Sequence, residues 1–144
     1  MTLALAAELD DVNERFQAAL AALERALGHD APDFAELGKL RAHLARMAGQ
    51  RLRFIDRHLC PVLIAGPTAA HHEAARNLRE RIGALFSASN GHIGHWDTKR
   101  IASDWQGYRA STRAMVGDAR ALLAMERREI YPLLASARPA QAAA

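Results

Sequence analysis

Apolar side chains recur at every third or fourth position along almost the whole of this chain. A chain written that way buries them only by forming helices that pack on one another. Leu9, Val12, Phe16, Leu20, Leu23 and Leu27 draw the first stripe, and Gly28 supplies its stop. Asp30, Pro32 and Asp33 signal a second start, followed by Leu37, Leu40, Leu44, Met47, Phe54, Leu59 and Leu63 as far as Gly66. Pro67 and Thr68 make a turn and a cap before His71, Ala75, Leu78, Ile82 and Leu85. The last stripe runs through Ile101, Trp105, Tyr108, Thr112, Met115, Ala119, Leu122, Glu126, Ile130 and Leu133, with Thr98 or Ser103 as its cap.

These stripes predict helices over 3–27, 32–65, 68–89 and 98–136, with NGHIGHWDT at 90–98 as a loop. Pro61 is expected to kink the second helix, because it has no amide proton to give the carbonyl of residue 57. Four amphipathic helices with short connections pack most simply up, down, up, down around one seam, so the expected fold is an all-α four-helix bundle. The 144 residues suit one domain, placed at 1–138, with 139–144 as a frayed tail. β-branched residues are sparse, and no segment reads as a strand.

The net charge of +3 comes from arginines interleaved with Asp and Glu, as at Glu73, Arg76, Arg79, Glu80 and Arg81. That interleaving makes a solvated surface and argues against nucleic acid as a partner. A single cysteine, Cys60, rules out an intrachain disulfide and reads as a small buried hydrophobe. The N-terminus lacks a basic segment, and no apolar run reaches the roughly 20 residues of a membrane span. The expectation is a cytoplasmic protein with no membrane association.

RHLCPVL at 57–63 repeats as REIYPLL at 128–134, each with a proline one turn before the helix end. With the helix order, ERREIYPLL makes most of residues 8–135 resemble the hemerythrin-like, or HHE cation-binding, domains. In that family the first helix gives a His, and the second gives a His and, four residues on, a Glu, shortly before an aromatic-proline step. The last helix gives a comparable pair. Positions i and i+4 share a helix face, which lets both side chains reach metals between the helices. Carried over, the first-helix position falls on Asn13, the second-helix pair on Arg51 and Ile55, and the last-helix pair on Leu122 and Glu126. Of these only Glu126 is a good iron ligand, so the resemblance implies a degenerate site with no metal cofactor.

Arg51 and Glu126 nevertheless sit on otherwise apolar stripes. Either they form a core ion pair where the metals would stand, or each lies at its stripe's edge and reaches water. No nucleophile with a base and no glycine-rich phosphate cradle is present, so no catalytic residue is expected. The reading is a non-enzymatic regulatory or binding module, acting through a protein partner or a small ligand and with self-association left open. One alternative is an iron-binding protein for oxygen, redox or NO sensing or storage, with an unusual ligand set that includes Glu126. Another is a histidine phosphotransfer module using His71 or His72 in AHHEAARNL. His92 and His95 read as solvated loop residues, His43 and His58 as flanking the core, and Trp96, Trp105 and Tyr108 as packing at the last connection.

Overall fold

The structure, a computed structural model, describes residues 2–135; the tail expected at 139–144 lies outside them. It is all-helical, with no strand among the described residues. Helix α1 spans Thr2–Ala26. Helix α2 begins at Phe34–Phe54, widens into a π-helical turn at Ile55–Leu59 and finishes as Cys60–Ile64. Helix α3 is Ala69–His95 and α4 is the short Thr98–Ser103. Helix α5 starts at Trp105–Met125, passes through a second π turn at Glu126–Ile130 and continues over 131–135.

Three departures from the sequence reading have physical causes. Residues 90–95 are helical and not loop, and α3 stops only where Trp96 turns inward to a buried position. The last helix is broken at Asp104, which accepts a bond from the Gly107 amide at 2.8 Å and restarts the chain as α5. The caps are Asp97 and Asp104, in place of Thr98 or Ser103. Finally, no sharp break occurs at Pro61. The preceding turn widens so that the Cys60 amide reaches Ile55 O, one residue further back than in an α-helix, and the Tyr131 amide reaches Glu126 O in the same way before Pro132. A wider turn relieves the clash between a proline ring and the carbonyl four residues earlier.

Helix α1 packs along α2, the end of α2 along α3, α3 along α5, and α5 back on α1. Contacts between partners run in opposite residue order. Asn13 meets Arg51 while Arg15 meets Gln50; Asp10 meets Tyr131 while Glu24 meets Arg120; His71 meets Leu133 while His92 meets Thr112. One apolar cluster surrounds the π turns, with Leu9, Ile55, Leu59, Leu78 and Ile130. A middle cluster holds Phe16, Leu20, Val116 and Leu123. The third, at the opposite end, gathers Leu27, Leu37, Trp96, Trp105 and Tyr108, as expected for the aromatic residues of the last connection. No helix of the described residues is long and apolar enough to cross a membrane.

Candidate functional site

Asn13, Arg51, Ile55, Leu122 and Glu126 are all buried, between 0% and 6% exposed, although they come from three helices. Helical periodicity puts Asn13 on the inner stripe of α1, one position after Val12. Arg51 lies one turn before Ile55 on α2, and Glu126 one turn after Leu122 on α5. The π turns start at Ile55 and Glu126, so the two segments are counterparts in local conformation as well as in sequence.

Arg51 and Glu126 form a buried ion pair, Nη2 donating to Oε2. Arg51 Nε donates to Asn13 Oδ1 at 2.9 Å, and the guanidinium lies over the Phe16 ring, 5.5 Å from its centroid. Burial pushes Arg51 down to about 10, with the neighbouring Tyr131 acting the other way. It therefore stays cationic at neutral pH. Glu126 Oε1 is buried and has no hydrogen-bond partner among the described residues. On the far side of Asn13, the Tyr131 hydroxyl donates to Asp10 Oδ1 at 2.5 Å. Burial, and after it the bond to Asp10, raises Tyr131 to about 12, against a smaller opposing bond with Asn13. Asp10, Tyr131, Asn13, Arg51 and Glu126 thus form one polar chain across the seam.

These donors do not suit a metal. A guanidinium is a permanent cation with no lone pair to offer, and Ile55 and Leu122 are hydrocarbon. No three His, Cys, Asp or Glu side chains gather in ligating geometry among the described residues.

Beside the pair lies a cleft with a cavity of about 140 Å³. Its inner end is Arg51 and Leu122, its walls include Leu20, Leu44, Leu85 and Met115, and its other end carries Arg41, His92 and Tyr108. Small residues on α2, Ala45, Ala48 and Gly49, leave the space open, and Phe86 and Ile93 of α3 line it although about half exposed. Sequence reading missed this cleft, because its walls carry the same apolar stripes as a filled core.

The histidines divide differently from the expectation. His71 is buried: its Nε2 donates to the Leu133 carbonyl at 3.1 Å, and Nδ1 lies 2.6 Å from Thr68 Oγ1. Both ring nitrogens are therefore engaged. His72 is exposed, with Nε2 3.0 Å from Gly66 O. His92 is a half-buried helical residue 3.1 Å from Thr112 Oγ1, not a solvated loop histidine. Its pKa is lowered, first by burial and then by Arg41 and His95. Cys60 is fully buried, and burial raises its thiol. Comparison with protein-family models, curated proteins and solved structures finds no match.

Proposed function

We propose that the protein is a hemerythrin-like, up-down-up-down four-helix bundle that works without a metal and without catalysis, as a binding module whose small ligand enters the seam beside the Arg51–Glu126 pair. One observation carries this reading: the five positions matched to the metal ligands converge in the core, where a cation, an amide and a carboxylate bond to one another beside an apolar cavity. The opposite residue order of neighbouring helices supports the bundle. The cavity supports a ligand, since concave, mostly apolar pockets with a few polar groups are the usual form of small-molecule sites.

The test is a titration of the isotope-labelled protein with 2-phenylethanol, an uncharged probe of suitable size, followed through methyl NMR signals. Saturable shifts confined to cavity residues such as Leu20, Leu44, Met115 and Leu122 are expected. Absence of saturable shifts both with this probe and with its carboxylate analogue, phenylacetate, would remove the seam as a ligand site.

A further inference from the structure

The two ends of the cleft differ in charge balance, and that difference selects a ligand. At the inner end Arg51 is already neutralised by Glu126 and held by Asn13. At the other end Arg41 forms no ion pair with any carboxylate among the described residues. It makes only a 3.5 Å contact with the Ile93 carbonyl and lies 5.8 Å over the Tyr108 ring. Tyr108 is fully buried and lines the cavity; its hydroxyl makes no well-formed hydrogen bond, and the Thr112 hydroxyl, which acts weakly on it, is itself engaged with His92 at 3.1 Å. A buried, unpaired hydroxyl is costly unless something fills its bond. His92 stands beside them with its charged form disfavoured, and Asp118 lines an adjoining groove between α3 and α5 that shares Leu85, His92 and Met115 with the cleft.

We propose that the cleft binds a monocarboxylic acid with a compact apolar body, the carboxylate held by Arg41 and the Tyr108 hydroxyl and the body lying toward Leu122 and Arg51. The inference rests on the reading of the seam as a ligand site. A guanidinium fork and a hydroxyl donor together match the two oxygens of a carboxylate, and one unpaired cation suits a single negative charge. The apolar walls would leave the hydroxyls of a sugar or a nucleoside unsatisfied. The cavity is close in volume to one of about 150 Å³ that accommodates benzene in another protein, which sets the body at one ring or a short alkyl chain. Phe86 and Ile93 offer apolar surface at the mouth for any longer portion.

The experiment compares phenylacetate with 2-phenylethanol, which keeps the ring and loses the charge, by NMR titration of the wild-type protein and of Arg41→Gln and Tyr108→Phe. Phenylacetate is expected to bind at least about tenfold tighter than the alcohol, an advantage that Arg41→Gln abolishes and Tyr108→Phe reduces. Arg41 is only half-buried and Phe keeps the ring of Tyr108, so both variants retain the core packing. Equal affinities for the two probes, or an advantage that survives Arg41→Gln, would overturn the carboxylate assignment while leaving the seam as a ligand site. Saturable binding of neither probe would overturn both.

Discussion

A guanidinium and a carboxylate sealed together between helices stabilise the fold only as long as both are present. Arg51 and Glu126 are 4% and 0% exposed, so deleting either leaves the other uncompensated in the core, at a cost of roughly 3–5 kcal/mol. Arg51→Met and Glu126→Leu should each destabilise by that amount, and the double variant should recover much of the loss, because hydrocarbon of similar volume often replaces a buried pair without penalty. Denaturant melts of the four proteins measure the coupling; additive losses would mean that the two residues do not act as a pair. Tyr131 gives an alkaline signature. Its phenol ionises at about 12 when folded and near 10 when unfolded, so its contribution is complete below 10 and falls away as pH rises to 12. Tyr131→Phe should lose stability less steeply across that window, and an unchanged slope would contradict the buried bond to Asp10. At this level the sequence was informative, because Arg51 and Glu126 interrupt apolar stripes in the two helices that carry the repeated proline segments. It could not say whether they meet or reach water, since that depends on how the helices are rotated against each other.

The long helices were legible as elements because their stripes are continuous, but their ends and interruptions were not. Ser89, Asn90, Gly91 and Gly94 are weak helix formers, yet α3 runs on to His95 because the chain there is held by Trp96 in the aromatic cluster and by His92 on Thr112. The break at Asp104 was hidden inside a continuous stripe, since Ile101 and Trp105 are four residues apart and both buried. A single side chain sets that break. Asp104 bonds the Gly107 amide, and the absence of a side chain on Gly107 leaves room for the Asp104 carboxylate against the first turn of α5. Asp104→Ala should therefore cost about 1 kcal/mol in thermal or denaturant melts, and Asp104→Asn far less. Equal losses in the two variants would mean that the side-chain bond is not what holds the start of α5. The π turns were marked in the sequence by the repeated proline segments, although what those segments build is a widened turn in place of a kink.

Taken together, α1, α2, α3 and α5 close a ring with three apolar clusters along its axis, and the polar chain from Asp10 to Glu126 crosses it near one end. The all-helical class was plain from periodicity and composition, whereas the cleft was not, because an unfilled stretch of core reads in sequence like a filled one. Only the small residues Ala45, Ala48 and Gly49 hint at the missing volume. The proposal that the Arg51–Glu126 pair occupies the place of a metal centre bears on the whole molecule, since a di-iron protein would depend on its metal for stability and this one should not. The decisive measurement is the iron content of the wild-type protein expressed with ample iron and purified without chelator. The account predicts no stoichiometric iron and no oxo-bridge absorption; roughly two tightly bound irons per chain would contradict it.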